Sequence, residues 1–199
     1  NGSPKSKGCT YTALKIIENE LINEGIEVKF YEVGNKPVIG CTGCTACRKL
    51  GKCVHDDLVN EVSKEIESAD GFIVGSPVHY AAASGAATSF LDRLFYSTDK
   101  NQLRHKFGAS IVSCRRGGAS ATFDQLNKYF TINEMPIVSS VYWNQIHGNT
   151  PEEIVQDLEG VRTMKVLARN MAYLIKCKEA AKNVPLPKLV PVERTNFIR

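Results

Sequence analysis

The sequence predicts an α/β protein, a doubly wound parallel sheet with helices on both faces. Short, wholly apolar runs of the kind buried on both sides recur along the chain, and amphipathic stretches with helical spacing separate them. Length adds a bound. With 199 residues, 43% hydrophobic and 23% charged, the chain can bury one sizeable core but not build two full domains.

The elements follow in order. Leu14, Ile17 and Leu21 mark the inner face of a helix that begins near Thr10. Residues 27–33 alternate as a half-buried strand, and Leu58, Val62 and Ile66 mark a second helix starting near Asp56. The buried-type strand Gly71 to Gly75 precedes a helix carrying Phe90, Leu91, Leu94 and Phe95. A further strand covers Ala109 to Ser113, a fourth helix Ala119 to Phe130, and a fourth strand Pro136 to Val141. Thr150-Pro151-Glu152-Glu153 supplies an N-cap, a proline at the first helical position and the glutamate of a capping box, so the last helix is expected from there to Lys178. Pro185, Pro187 and Pro191 forbid its continuation. The domain is therefore expected to span 1–180, with 181–199 as an extended tail whose leucines and valines suit an arm over a partner subunit.

Several classes are excluded. No apolar run approaches the roughly 20 residues of a membrane span, and 15 Gly with 8 Pro is ordinary usage that argues against collagen or bulk disorder. The net charge of +4 is concentrated in residues 178–199, which carry a local +3, so no basic stripe for nucleic acid is expected. Seven cysteines and no visible secretory signal disfavour a disulfide framework and point to a cytoplasmic setting.

In a doubly wound sheet, ligands bind where the strands end at their carboxyl edge. Three loops meet that description. Gly2-Ser3-Pro4-Lys5-Ser6-Lys7-Gly8-Cys9-Thr10-Tyr11-Thr12 gathers hydroxyls and small residues before a helix, an arrangement suited to an anion such as phosphate, although it has neither P-loop nor dinucleotide spacing. An ordinary capped helix after a polar loop is the plainer reading. Gly75-Ser76-Pro77-Val78-His79-Tyr80-Ala81 would let backbone lie against a flat ring, with Val78 and Tyr80 as apolar faces. Ser113-Cys114-Arg115-Arg116-Gly117-Gly118 brings two arginines and two glycines to the same edge, or forms a solvated basic turn.

Together, the two Gly-Ser-Pro loops, Gly8-Cys9-Thr10 and Phe90-Leu91-Asp92-Arg93 resemble the NADPH-dependent FMN reductase branch of the flavodoxin-like superfamily, over roughly residues 1–175. That resemblance implies a sheet of strand order 2-1-3-4-5 and an FMN-dependent oxidoreductase. Ser3, Lys5, Thr10 and Thr12 would bind the FMN phosphate, and Ser6, Cys9 and Tyr11 would be further cofactor-binding positions, with Cys9 standing where the family more usually has Asn. Ser76, Pro77, Val78, His79 and Tyr80 would border the isoalloxazine. Ser113, Cys114, Arg115, Arg116, Gly117 and Gly118 would close its pyrimidine side, where positive charge favours the reduced, anionic flavin. The resemblance also implies a buried strand before the first loop, so the native chain is expected to begin upstream of Asn1. Family members complete the flavin site with a neighbouring subunit, which implies a homodimer or homotetramer.

Cys41-x2-Cys44-x2-Cys47-x5-Cys53 places four soft ligands within thirteen residues. The spacing is near that of bacterial iron-sulfur proteins, with a longer last gap and no following proline. Reactive or packed thiols are a second reading, and zinc, which usually takes two separated pairs, a third. Within the flavin family the motif resembles the iron-sulfur flavoproteins, implying a 4Fe-4S cluster held by Cys41, Cys44, Cys47 and Cys53 and reduced by a ferredoxin-type donor. Without a cluster, NAD(P)H would reduce FMN for a quinone, a free flavin or another small acceptor. An electron carrier without a substrate of its own, and a zinc-stabilised interaction module, are the remaining alternatives. No acid-base or nucleophilic triad is visible, and none is needed if the flavin carries the chemistry.

Overall fold

In the computed structural model, which describes residues 1–191, 193, 195 and 197, the chain runs α1 (Cys9–Asn23), α2 (Cys47–Leu50), α3 (Leu58–Ser68), β1 (Gly71–His79), β2 (Ala82–Ala83), α4 (Gly85–Ser97), α5 (Lys100–Leu103), β3 (Phe107–Cys114), α6 (Ala119–Thr131), β4 (Gln145–His147), α7 (Pro151–Ile154) and α8 (Leu158–Ala180). The spine is the parallel pair β1 and β3, in register from Gly71 opposite Phe107 to Pro77 opposite Ser113. β4 extends it in parallel, and the short β2 pairs antiparallel with the end of β1, giving the order β2-β1-β3-β4.

Alternation along β3 divides the interior in two. Val112 and Cys114 face α3, α4 and α6, where Val62, Ile66, Leu91, Leu94, Leu126 and Phe130 are buried. Ala109 and Ile111 face α1 and α8 and pack with Ile17, Leu21, Leu167, Ala168 and Met171. Helices therefore cover both faces, which is why the strands read as continuous apolar runs rather than alternating ones. Phe130 is fully buried beside Phe72 and Phe95, with ring centroids 6.3 and 6.0 Å apart. Gly108 is what lets that ring lie on the sheet, because a Cβ there would sit 2.5 Å from Phe130 Cγ.

Four sequence expectations need correction. Residues 27–33 form no regular strand. An apolar groove of about 580 Å³, lined by Leu14, Ile17, Leu21, Phe30, Phe72 and Val74, lies between this segment and β1, so most of it has no ladder partner. Only at its end does pairing occur: Val33 N–H donates to Asn1 O at 2.8 Å, the Asn1 nitrogen to Tyr31 O at 2.7 Å, and Gly2 N–H to Gly75 O at 2.8 Å. Asn1 and Gly2 thus occupy the position next to β1 that the order 2-1-3-4-5 gives to its first strand. Second, β1 runs on to His79 and turns as a hairpin into β2, where a loop was expected.

The fourth strand is split. Ile137 bridges to Gly108, and regular pairing resumes only at β4, because Ser140 Oγ donates to Tyr142 O and closes a turn between the two pieces. The last helix is broken as well. Thr150 caps α7 as expected, accepting from Glu153 N–H, but Asp157 then caps α8 by accepting from Gly160 N–H at 2.9 Å. Its other oxygen accepts from His147 N–H at 2.7 Å, and a tie to the sheet edge outweighs one continuous helix. The tail between Val184 and Pro191 is exposed and has no regular structure, while positions 192, 194, 196, 198 and 199 lie outside the described residues. No helix is long and apolar enough to cross a membrane among the described residues.

Truncating the ring at the centre of the aromatic group tests this packing. Phe130→Ala is expected to cost about 3–5 kcal/mol of unfolding free energy, read from urea denaturation followed by far-ultraviolet circular dichroism.

Candidate functional site

The parallel ladder sends the carboxyl ends of β1 and β3 to one edge, and α1 begins at the same edge. Gly2 N–H bonds Gly75 O, while Ser84 Oγ, on the turn into α4, donates to Gly2 O at 2.5 Å. The first loop is therefore pinned to the second. Thr10 Oγ1 and Ser113 Oγ lie 2.7 Å apart and are both buried, which joins the first loop to the third. Cys9 Sγ points to Gly148 O at 3.7 Å, and burial pushes its thiol up from the ordinary value. Cys114 is also buried and raised for the same reason.

The first turn of α1 carries neither a side-chain cap nor an acidic residue. Its leading amides and the positive end of its dipole face the loop that holds Lys5, Ser6 and Lys7 on the surface. Ser3 is buried and accepts from Lys5 N–H at 3.1 Å, so it shapes the turn that presents those residues. The arrangement suits an anionic group at the helix start.

Ser76 has a structural task, accepting from Ser84 N–H at 2.9 Å and donating to Pro77 O at 2.9 Å. Val78 and His79 lie in the strand, and the hairpin turns at Tyr80 and Ala81 with φ of 52° and 58°. Both values lie in the left-handed region that a two-residue turn of this hand demands, and neither residue is glycine. Tyr80 consequently stands fully exposed at the tip. Gly118, with φ of 89°, meets that hairpin directly: a Cβ there would lie 2.9 Å from Val78 Cγ1 and from Ala81 Cα. Arg115, Arg116 and Gly117 are exposed beyond β3. The three loops thus converge on one edge, while Tyr11 packs its ring on Phe30 at 5.5 Å and the Thr12 hydroxyl donates to Gly8 O at 3.2 Å. The supports Ser84 and Gly148 were unforeseen. An Ser-Gly pair at a helix start was the visible signal for the first, and nothing local marked the second.

The four cysteines lie in residues 41–53, where Cys47 and Cys53 meet α4 at Tyr96 and Arg93. Cys41 and Cys44 are exposed and Cys47 and Cys53 half-buried; all are free thiols. Among the described residues no three His, Cys, Asp or Glu side chains are already gathered as a metal site. The Ala46 amide and the Thr42 hydroxyl draw the Cys44 thiol below its ordinary value. Cys53 is held more firmly. Its N–H donates to Asn60 Oδ1 at 2.9 Å, its carbonyl accepts from Asn60 Nδ2 at 3.0 Å, and its sulfur accepts from Arg93 Nε at 3.3 Å. As a donor set, four thiols in a loop suit a soft metal or an iron-sulfur cluster better than any hard cation. Asn60, Asp57 and Arg93 were not foreseen as parts of this loop. Arg93 closes the motif Phe90-Leu91-Asp92-Arg93, but its partner Asp57 lies 36 residues back in the chain.

A family model described as NADPH-dependent FMN reductase matches residues 1–150. An iron-sulfur flavoprotein of Methanocaldococcus jannaschii is 31% identical over 183 residues, covering 88% of this chain and 95% of that one. Among solved structures, RosB with a bound riboflavin-phosphate intermediate superposes with a TM-score of 0.67 at 14% identity, over 98% of this chain and 90% of that one. A flavodoxin from the domain Archaea gives 0.58 at 14%, over 86% and 92%. The fold and its carboxyl-edge site define a flavodoxin-like α/β protein. The chain belongs to the NADPH-dependent FMN reductase family, and it is an FMN-dependent oxidoreductase.

Electrostatics at the loop's root give a pH test. Burial pushes the Asp57 carboxyl up, but the Arg93 guanidinium and the Val59 amide outweigh it and hold the group below the usual carboxylate range. A depressed folded pKa contributes stability that is complete above the unfolded value of about 3.9 and is lost as pH falls through the folded one. Asp57→Asn is therefore expected to lower the thermal midpoint at pH 7, with the gap to the wild type narrowing steadily below about pH 4 in calorimetry.

Proposed function

We propose that this FMN-dependent oxidoreductase relays electrons between a 4Fe-4S cluster on Cys41, Cys44, Cys47 and Cys53 and an FMN at the carboxyl edge of the sheet. One observation carries the reading. All four cysteines of the motif stand as free thiols in a loop whose last member, Cys53, already receives a charge-assisted hydrogen bond at its sulfur. The relative from Methanocaldococcus jannaschii is named an iron-sulfur flavoprotein.

FMN supplies the redox chemistry when bound, and the protein supplies position and electrostatics. Ser3, Lys5, Ser6, Thr10, Tyr11 and Thr12, with the leading amides of α1, bind its phosphate end. Pro77, Val78, His79 and Tyr80 border the ring, with Ser76 fixing the strand beneath them. Gly118 and the backbone after Ser113 and Cys114 would border the pyrimidine side, where the exposed Arg115 and Arg116 would supply positive charge. In this reading the domain spans residues 1–180, the donor is a ferredoxin-type protein or a small molecule, and the assembly is a homodimer or homotetramer. A reducing cytoplasmic setting goes with its seven free thiols.

A second reading has its own support. The sulfurs are not drawn together, and the lowered Cys44 thiol suits a reactive cysteine, as expected for a cluster-free NAD(P)H-dependent FMN or quinone reductase. The absorption spectrum of anaerobically purified protein, with iron and acid-labile sulfide analysis, separates the two. Flavin bands over broad absorbance near 400 nm, bleached by reductant, with about four iron per chain, support the relay. A clean flavin spectrum without iron removes it in favour of the cluster-free reductase. Cys47→Ser is expected to abolish the iron while leaving FMN bound, and a parallel loss of flavin would contradict the separation of the two sites.

A further inference from the structure

We infer that Arg93, on α4, is a positioning residue for Cys53 that both anchors the two roots of the cysteine loop and sets the redox potential of what the loop holds. The inference rests on the cluster reading above.

Arg93 is 1% exposed and is among the largest wholly buried side chains of the described residues. A buried cation persists only where its donors are matched, and here all five N–H directions have acceptors. Nη1 and Nη2 fork onto the two Asp57 oxygens at 2.7 and 2.9 Å. Nη2 also reaches His55 O at 3.1 Å, and Nη1 reaches Ile39 O at 3.4 Å. The fifth donor, Nε, goes to Cys53 Sγ at 3.3 Å.

These acceptors bracket the motif. Ile39 lies two residues before Cys41, while His55 and Asp57 lie just after Cys53, so one guanidinium ties both roots of the loop to α4. Asn60 holds the other side of Cys53 through its N–H and carbonyl. By contrast, Cys41 and Cys44 are exposed, on a stretch where Gly43 and Thr45 have φ of 68° and 57°. Cys53 is thus held by its sulfur and both its backbone groups, Cys47 Sγ reaches Tyr96 O on α4 only at 4.0 Å, and Cys41 and Cys44 have no such tie. A cation hydrogen-bonded to a ligating sulfur also disfavours the more oxidised state of a cluster, since hydrogen bonds and charge at the sulfurs are what tune its potential. Lysine keeps the charge but lacks the planar fork, so it separates anchoring from tuning.

The test compares the full chain with Arg93→Lys and Arg93→Met, each purified or reconstituted without oxygen. Readouts are iron and sulfide per chain, retention of iron under a chelator challenge, FMN content, and the cluster midpoint from a potentiometric titration followed by electron paramagnetic resonance. Arg93→Met is expected to hold iron roughly 10- to 100-fold less well and to titrate at a more negative potential, with FMN content unchanged. Arg93→Lys is expected to lose iron retention while keeping most of the wild-type potential. Wild-type iron retention and potential in Arg93→Met overturns the inference, and a lower melting temperature alone does not rescue it. If Arg93→Met does not fold, Arg93→Lys decides: wild-type iron retention there overturns the anchor. Absence of iron from the wild type itself overturns the cluster reading, and the inference with it, before any variant is compared.

Discussion

The parallel pairing of β1 with β3 is the constraint on which the rest of the molecule depends. Parallel strands deliver both carboxyl ends to the same edge, so the segments after Gly75 and after Ile111 must meet there, whatever their own sequences prefer. Their connection has to cross a face, and α4 does so, which in turn puts Arg93 over the cysteine loop. Close helix approach depends on missing side chains. A Cβ at Gly75 would lie 2.8 Å from Leu14, so the contact between α1 and the strand end exists only with glycine at that position.

Two sites are thereby held in different ways. The edge that suits FMN is built on the ladder itself and is cross-linked by buried hydroxyls, Thr10 to Ser113 and Ser84 to Gly2 and Ser76. Its rigidity comes from elements already ordered by the two cores. The cysteine loop is held differently: Val38 and Cys53 pack on the edge of one core, and the Cys53 end is fixed by Asn60 and one guanidinium. Removing that cation would leave the Ile39 and His55 carbonyls without their donor and the half-exposed Asp57 carboxylate to solvent alone, so the polar cluster depends on one buried side chain.

The helix faces were legible from sequence because burial on both sides of a sheet imposes a simple period. Leu14, Ile17 and Leu21 are buried as read, and so are Val62 and Ile66, and Phe90, Leu91, Leu94 and Phe95. Interruptions were not legible. Nothing local says that Asp157 would stop a helix in order to hold His147 N–H, or that Ser140 would fold a turn into a strand. The residues 27–33 alternate as a strand should, yet alternation describes only which side is buried; a strand also needs a neighbour to bond, and the groove beside this one denies it that over most of its length.

What the sequence by itself determined is the chemistry available: hydroxyls and lysines before α1, glycines and arginines after β3, four thiols between residues 41 and 53. Those are properties of composition and spacing, fixed by local propensity and side-chain type. Only the tertiary structure decided which groups support them. Arg93 and Cys53 are 40 residues apart, and Thr10 and Ser113 are 103 apart. Contacts of that separation arise from strand register and helix packing, where each partner's identity is satisfied by geometry that no window of sequence contains.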